Sequence, residues 1–308
     1  MKIAIFTEAD YIDKIPRNHP NMRTDLAWIC ALGAHHIPIR QIHNIKVTKK
    51  FDLGIIIIPK NNPQFDINRI KQLCSKVSVM QEGPNWYWQD YPLHQQIWYY
   101  NIIQEADFIF VHNKSDKKYY EGLTGKKCKI LSSLMIEDSI KDLPQIERKD
   151  IIIGGNFCSW YGGFDSYIVA READCPIYVP SMGRKIENEE QIPNLNHLPY
   201  MTWVEWIKTL NRFKYGIHLM RTQAAGTFAL NCAYLGIPCI GYKGLDTQEI
   251  CHPQLTVELG DLVTAKKLIT LLKMDQKFYN ECSQTAKENY TNVYSEKIFL
   301  DNFYTQTS

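Results

Sequence analysis

The sequence predicts an α/β protein of two domains, each a doubly wound parallel sheet with helices on both faces. Short apolar segments of strand length alternate with longer segments of helical periodicity along all 308 residues. Segments such as Ile55–Ile58 are apolar without interruption, which is typical of parallel strands buried on both faces. Between the two halves, Glu137–Lys149 is charged and polar and contains Pro144, which indicates a domain boundary.

In the first domain, residues 1–145, strands are predicted where short apolar runs lie between turn residues. They are Lys2–Phe6, His36–Ile42, Leu53–Ile58, Lys76–Gln81, Phe108–His112 and Lys129–Leu131. The helices expected between them are Met22–Leu32, Phe65–Cys74, Trp98–Glu105 and Lys117–Leu123. Gly33 is a stop signal for the first helix, because glycine adopts the left-handed conformation that ends many helices.

In the second domain, residues 146–289, the same alternation continues. The predicted strands or short extended segments are Ile151–Gly155, Pro176–Val179, His197–Met201, Tyr215–Leu219, Ile237–Gly241 and Leu255–Val257. The predicted helices are Phe164–Ala173, Thr202–Asn211, Thr227–Leu235, Asp261–Leu272 and Asp275–Glu288, followed by a terminal helix at Asn292–Phe303 within residues 290–308. Thr202 and Glu205 have the spacing of a capping box.

Composition limits the function classes. A net charge of +2 gives no general attraction to nucleic acid, although a local basic groove is compatible with it. No apolar run has the length of a transmembrane helix, and the opening MKIAIF is too short for a signal peptide. The nine cysteines include no CxxC pair, so we expect free thiols in a reducing, cytoplasmic compartment.

The stretch Tyr215–Tyr242 predicts one strand–turn–helix–strand unit. Its helix starts at Thr227 directly after Gly226, and Gly236 occupies the position of a C-terminal cap. The N-terminus of a helix binds anions well, because its first N–H groups have no intrahelical acceptor and the helix dipole favours negative charge. Arg221 adds a cation at the same end, so this stretch predicts a phosphate site.

The same stretch resembles the donor-binding motif of the GT-B glycosyltransferases. That motif has two acids with seven residues between them, then a small residue, a glycine and a proline before a strand. Gln223 and Asn231 occupy the two acid positions, and Cys232, Gly236 and Pro238 the three that follow. Both acids are therefore amides here. In the family the second acid holds the donor ribose, and Asn231 could still accept a hydrogen bond from a ribose hydroxyl.

The resemblance implies two Rossmann-like domains facing a cleft, with a C-terminal helix that crosses back to the first domain. It also implies a nucleotide-diphosphate sugar as donor substrate, bound mainly by the second domain. Since the chain has no Asp-x-Asp motif and no Walker loop, we expect a metal-independent site that requires no cofactor.

Three further loops fall in the order that the family uses around the donor. Gly155 and Asn156, after a predicted strand, would let the donor approach the backbone. Arg184 and Lys185 lie where retaining members of the family place cations against the diphosphate. The remaining loop, which would hold the base through its main chain, contains Tyr200 and Met201.

Glu82 is the favoured catalytic carboxylate, because it follows a buried strand and precedes a Gly-Pro turn. It could deprotonate an acceptor hydroxyl or stabilise an oxocarbenium-like centre. Glu8 and Asp25 are alternative catalytic acids, since both lie at the same expected sheet edge. The other residues expected to contact substrate in the first domain, mainly the acceptor, are Asp10, Arg23, Trp86, Trp88 and Tyr91.

Two acceptors compete. One is a sugar of a surface glycan. The other is a hydroxymethylated base of phage DNA, because Gln81-Glu82 and Ala106–Asn113 resemble segments of DNA-modifying glycosyltransferases. The aromatic loop, Asn85–Pro92, could stack on a sugar or on a flipped base. The cytoplasm would then be that of a bacterium or of a phage-infected host cell.

Two other functions stay open for the same fold. The amides Gln223 and Asn231 in place of acids are compatible with a non-catalytic nucleotide- or sugar-binding protein, in which Glu82→Gln would change nothing. A sugar-nucleotide epimerase would release its products without an acceptor.

Overall fold

The computed structural model describes residues 1–10, 15–46, 49–59, 65–158, 160–181 and 186–308. The chain forms two compact units. Unit 1 comprises Met1–Ile136 with Glu296–Ser308, and unit 2 comprises Glu137–Ser295.

Unit 1 is built on a six-stranded, wholly parallel sheet in the order β2-β1-β3-β4-β5-β6. Its strands are β1 (Ile3–Thr7), β2 (His35–Pro38), β3 (Phe51–Ile57), β4 (Cys74–Met80), β5 (Phe108–Val111) and β6 (Cys128–Ile130). Its connecting helices are α1 (Thr24–Leu32), α2 (Ile67–Leu73), α3 (Leu93–Glu105) and α4 (Lys114–Thr124). The central strands are apolar because the sheet is covered by helices on both faces.

Unit 2 is built on a second six-stranded parallel sheet, in the order β12-β11-β10-β7-β8-β9. Its strands are β7 (Lys149–Ile153), β8 (Ile177–Val179), β9 (Leu195–His197), β10 (Phe213–His218), β11 (Cys239–Tyr242) and β12 (Thr256–Val257). Its helices are α5 (Gly163–Ala170), α6 (Trp203–Leu210), α7 (Thr227–Leu235), α8 (Asp246–Cys251), α9 (Leu262–Met274) and α10 (Gln276–Asn289). This is the strand order of the Rossmann fold, in which the chain reverses its direction across the sheet between β7 and β10.

The last helix, α11 (Glu296–Thr307), belongs to unit 1. Gln306 extends the edge of the sheet at Ile130, accepting its N–H at 3.0 Å and donating to its carbonyl at 3.2 Å. Arg17 donates two hydrogen bonds to Glu296, at 2.9 and 2.7 Å. The prediction of a C-terminal helix that returns to the first unit is therefore confirmed.

Several element boundaries differ from the sequence-based expectation. The strand predicted at His36–Ile42 ends at Pro38, and Ile39–Asn44 forms a 3₁₀ helix that buries Ile39 and Ile42 three residues apart. Helix α3 begins at Leu93, earlier than expected, because Pro92 sets its start and the polar first turn hides the apolar period.

Two further differences concern the second half of the chain. The short helix α8 was not predicted, since six residues are too few to establish a period. The predicted terminal helix is interrupted, because a π-helical turn at Tyr290–Tyr294 ends at the extended residue Ser295 before α11 starts.

Two general properties hold across the described residues. None of the helices there combines the length and the apolar character that crossing a membrane requires. All nine cysteines are free thiols, and most of them are buried.

Gly162 should tolerate no side chain. It has a φ of 62°, and a Cβ would lie 1.9 Å from the Leu219 carbonyl oxygen, so the backbone would have to move. We expect Gly162→Ala to lower the free energy of unfolding by at least about 2 kcal/mol, from left-handed strain plus the clash. Urea unfolding followed by circular dichroism measures it.

Gly122→Ala is the matched control, because Gly122 is an exposed residue inside α4 with nothing near its Cβ position. It should raise stability by about 0.5–1 kcal/mol. Equal effects of the two substitutions would contradict the close approach at Gly162.

Candidate functional site

The carboxyl ends of β7 and β10 lie side by side at the point where the chain reverses direction in unit 2. In such sheets the connections leave the two strands in opposite directions and open a crevice that binds ligands. Glycine makes the strands meet closely: a Cβ on Gly154 would lie 2.4 Å from the His218 ring, and the Gly154 N–H donates to the Ile217 carbonyl at 2.7 Å. The loops after β7 and β10 therefore share one edge.

The first turn of α5 lies against the loop that follows β10. Gly162 meets the Leu219 carbonyl, as described above, and the Ser166 hydroxyl oxygen accepts the Leu219 N–H at 2.9 Å. Gly163 lies almost as close to the Asn156 carbonyl oxygen, where a Cβ would be 2.1 Å away. These approaches fix the backbone around the crevice.

The N-terminus of α7 opens at the same edge. Its N-cap is Gly226 in the left-handed conformation (φ 65°), and no side chain caps the first turn. Thr227, the first helical residue, is exposed. Thr247 donates to the Gly226 carbonyl at 2.9 Å and would clash with a Cβ there. This is the geometry of an anion site: a glycine-permitted turn followed by uncapped N–H groups.

Arg221 extends the same loop but pairs within the protein. Its Nη2 lies 2.9 Å and its Nε 3.3 Å from Oδ2 of Asp165 in the first turn of α5. The Tyr242 hydroxyl donates to the same oxygen at 3.1 Å. Asp165 raises the pKa of Arg221, while burial and the nearby Asp165 carboxylate raise the pKa of Tyr242 to about 12. Arg221 thus stays cationic and Tyr242 stays a hydrogen-bond donor.

Asn231, at the second acid position of the resemblance, is almost fully buried. In the amide orientation that satisfies both its polar atoms, it donates to the Thr227 carbonyl at 3.2 Å and accepts from the Trp206 indole at 3.1 Å. A carboxylate could accept from the indole but could not donate to the carbonyl, which explains an amide at this position. Gln223, at the first acid position, lies next to Gly244 of the loop after β11.

The loop after β7 is anchored by hydrogen bonds to a buried carboxylate that the sequence analysis did not single out. Glu189 is 2% exposed and accepts the N–H groups of Phe157 (3.3 Å) and Ile186 (3.1 Å). His197 Nε2 lies 3.8 Å from its other oxygen. Glu189 therefore joins the loops after β7 and β8, a contact between distant segments that leaves no local sequence signal.

The remaining residues predicted to bind the donor are distributed as follows. Asn156 is buried, and its side-chain oxygen accepts the Cys158 N–H at 3.3 Å. Gly155 lies against Tyr161. Tyr200 is 68% exposed, whereas Met201 is half-buried and accepts a hydrogen bond from Thr209 at 3.2 Å. Arg184 and Lys185 lie outside the described residues.

In unit 1, Glu82 follows β4 in a turn that the fold holds firmly. Asp116, buried at the start of α4, accepts from Asn85 at 3.3 Å and from Asn113 at 2.9 Å. The turn passes through Gly83, whose φ of 114° only glycine adopts readily. Glu82 is half-buried at the carboxyl edge of this sheet.

The other carboxylates of unit 1 lie around the end of β1 and the start of α1. Asp10 accepts from Arg40 Nε at 2.6 Å, and Asp25 accepts the Leu26 N–H at 2.9 Å. Glu8 lies near Tyr91, whose pKa is raised to about 12 by burial first, and then by Tyr87 and Glu8.

The remaining residues predicted to contact the acceptor have different surroundings. Arg23 is the N-cap residue of α1. Trp88, a residue of the aromatic loop, is 9% exposed and stacks on Tyr99 of α3 with 5.0 Å between the ring centroids, so it packs into the core. Trp86 and Tyr91 are half-buried and flank Tyr87.

His218 is a second residue that the sequence analysis missed. It ends β10 and is buried between Gly154 and Phe228, whose ring lies 5.2 Å from its own. Its Nε2 has no hydrogen-bond partner among the described residues, and burial lowers its pKa to about 4. A neutral imidazole therefore lies where the chain reverses direction between β7 and β10, which we call the switch point. Over the described part of the chain, no cluster of three His, Cys, Asp or Glu side chains could hold a metal ion.

A scan against protein-family models and a search of curated proteins gave no match. Solved structures do match. TarM from S. aureus, in complex with fondaparinux, α-GlcNAc-glycerol and UDP, has a TM-score of 0.61 at 11% identity, over 83% of this chain and 55% of TarM. Sucrose-phosphate synthase from Thermosynechococcus elongatus has a TM-score of 0.68 at 11% identity, over 99% of this chain and 98% of the synthase.

An α-glucosyltransferase in complex with UDP-glucose and DNA containing an abasic site has a TM-score of 0.67 at 14% identity, over 100% of this chain and 99% of that one. The chain thus spans about half of TarM (55%) but nearly the full length of the other two. These structures share the GT-B fold of glycosyltransferases. The predicted fold class, two Rossmann-like α/β units with parallel sheets, is confirmed.

The buried histidines predict how stability depends on pH. Burial lowers the pKa of His218 and of His252 to about 4, whereas unfolded histidine titrates near 6.5. The unfolded chain binds the extra protons, so stability falls as pH decreases through the window from about 6.5 to 4. Between pH 7 and pH 5 we expect each of these two histidines to lower the free energy of unfolding by about 2 kcal/mol.

Urea unfolding at several pH values measures this dependence. His218→Gln should flatten the slope, and His43→Gln, at an exposed position, should leave it unchanged. An identical slope in wild type and His218→Gln would contradict a neutral buried imidazole.

Proposed function

We propose that the protein is a GT-B glycosyltransferase that moves a sugar from a UDP-sugar to a hydroxyl acceptor. One observation carries this proposal. At the switch point of unit 2, the uncapped N-terminus of α7, the glycine loop after β7 and Arg221 all lie at one edge. Full-length structural neighbours with this fold bind UDP or UDP-glucose.

The donor diphosphate would lie at the α7 N-terminus, with Gly226 allowing close approach and Arg221 supplying positive charge. As the bond between the anomeric carbon and the phosphate oxygen breaks, UDP leaves with the electron pair. Cations and N–H dipoles aimed at that oxygen stabilise the transition state. We propose that Arg221, with Arg184 and Lys185, supplies this charge without a metal ion and with no cofactor required.

The base and ribose would contact the exposed Tyr200 with Met201, and Asn156, Gln223 and Asn231. The Asn231 amide is hydrogen-bonded to the Trp206 indole and the Thr227 carbonyl. Asn231 would therefore shape the ribose site mainly by fixing α7, and less by binding the ribose directly. The donor site would therefore bind the nucleotide although amides occupy both acid positions of the family motif.

The catalytic carboxylate would come from unit 1. Glu82 is proposed to accept the acceptor hydroxyl proton or to stabilise positive charge at the anomeric carbon. Glu8 and Asp25 are the alternatives. Trp86 and Tyr91, with Asp10 and Arg23, would contact the acceptor, while Trp88 would support their loop.

Two acceptor classes follow from the comparisons. A structural neighbour of full-length coverage is an α-glucosyltransferase bound to DNA, whereas TarM is bound to an α-GlcNAc-glycerol. A hydroxymethylated base and a glycan hydroxyl are therefore the two acceptors to test, in the cytoplasm of a bacterium or of an infected host cell. The free cysteines support such a reducing compartment.

Donor binding is tested by thermal unfolding with a panel of nucleoside diphosphates and nucleotide sugars. A ligand at about a hundred times its dissociation constant should stabilise the protein by about 2.7 kcal/mol, a rise of a few degrees in Tm. UDP and UDP-glucose should shift Tm, and free UMP should shift it less because it has one phosphate fewer. No shift from any nucleotide would contradict the proposal.

Catalysis is tested with Glu82→Gln in a UDP-release assay with modified DNA or glycan acceptors. The variant should lose at least about a hundredfold in kcat while binding UDP normally, because the carboxamide cannot accept the proton. Glu105→Gln is the control, since Glu105 ends α3 and forms an exposed ion pair with Lys71. Activity of Glu82→Gln equal to that of wild type would exclude this role and leave Glu8 and Asp25. Addition of EDTA should not change the rate.

A further inference from the structure

Asp165 is a carboxylate at the edge of the donor site that no sequence motif identifies. It lies in the first turn of α5, and its side chain is 12% exposed. One of its oxygens accepts three hydrogen bonds, from Arg221 Nε, Arg221 Nη2 and the Tyr242 hydroxyl. Asp165 therefore binds a side chain from the loop after β10 and another from the end of β11 to one helix.

The backbone around this ion pair is fixed without it. The Ser166 hydroxyl holds the Leu219 N–H, and Gly162 packs on the Leu219 carbonyl. Both contacts join α5 to the segment just before Arg221. Removal of the Asp165 charge should therefore free the Arg221 side chain without displacing the loop that carries it.

Arg221 uses only one side of its guanidinium in this pair. Nε and Nη2 point at Asp165, and Nη1 has no hydrogen bond to any described residue. The side chain is 58% exposed, so the remaining N–H groups are accessible to a ligand. A guanidinium that is gripped on one edge presents its other edge in a defined direction, which suits bidentate binding of a phosphate.

We propose that Asp165 is a positioning residue that holds the Arg221 guanidinium ready for the diphosphate of the donor. The inference rests on the proposed function, because it takes the ligand to be a UDP-sugar. Tyr242 supports the arrangement by donating to the same carboxylate oxygen. Preorganisation strengthens binding because the arginine loses little side-chain freedom when the diphosphate arrives.

The test is a double-mutant cycle on UDP affinity, measured by isothermal titration calorimetry. Arg221→Gln should weaken UDP binding about tenfold or more, and Asp165→Asn about fivefold to tenfold. In the Arg221→Gln background, Asp165→Asn should have no further effect, because its action passes through Arg221. A purely structural role for Asp165 would instead give effects that multiply.

Glu172→Gln is the matched control, since Glu172 follows α5 and forms a surface ion pair with Lys266 at 2.9 Å. It should leave UDP affinity unchanged. In the transfer assay, Asp165→Asn should raise the donor KM more than it lowers kcat, whereas the acceptor KM should not change.

The outcomes separate this inference from the proposed function. Suppose that the wild type binds UDP. The positioning role alone would then be overturned if Asp165→Asn left UDP affinity unchanged, or if the effects of Asp165→Asn and Arg221→Gln multiplied. No UDP binding by wild type would overturn the proposed function and this inference together. If Asp165→Asn does not fold, Arg221→Lys provides the test: lysine keeps the charge but lacks the fork, so affinity should fall about as in Arg221→Gln, and wild-type affinity would overturn the inference.

Discussion

The structure of the site depends on one steric constraint, the close approach of backbone segments where the sheet of unit 2 changes direction. Gly162 touches the Leu219 carbonyl, and Gly154 lies under the His218 ring, so neither position has room for a Cβ. These contacts bring the loop after β7, the first turn of α5 and the loop after β10 to one edge. The polar groups of that edge, including Arg221 and the start of α7, owe their placement to this packing.

Buried carboxylates hold the loops of this edge in place. Glu189 connects the loop after β7 to the segment after β8, and Asp165 connects α5 to the loop after β10 and to the last residue of β11. Each carboxylate accepts hydrogen bonds from N–H, guanidinium or phenol groups. These bonds offset the free-energy cost of removing the carboxylate from water. In unit 1, Asp116 likewise holds the turn that contains Glu82, because it accepts a hydrogen bond from Asn85. Carboxylates that order loops thus occur in both units, next to the residues that we propose bind the substrates.

Local patterns in the sequence were sufficient for much of the fold. Helix α7 has the predicted bounds, Thr227–Leu235, because glycines in the left-handed conformation flank it on both sides. The capping box of Thr202 and Glu205 is present at α6. The site was less accessible to such reasoning. The sequence predicts Arg221 as a cation of the phosphate site but gives no sign of its partner Asp165, which lies 56 residues earlier in the chain. His218 and Glu189 acquire their roles from packing between distant segments, and Trp88 is buried on Tyr99 although its neighbours in the aromatic loop are more exposed.

We propose that the switch-point edge of unit 2 binds the diphosphate of a nucleotide. Amide hydrogen exchange, followed by mass spectrometry with and without UDP, tests it most directly because it localises the ligand. We expect slower exchange with UDP in two peptides, one covering the loop from β7 to α5 and one covering the turn from Arg221 into α7. The peptide that covers α4 in unit 1 should not change. If UDP binds without protecting either peptide of unit 2, the diphosphate does not bind at this edge.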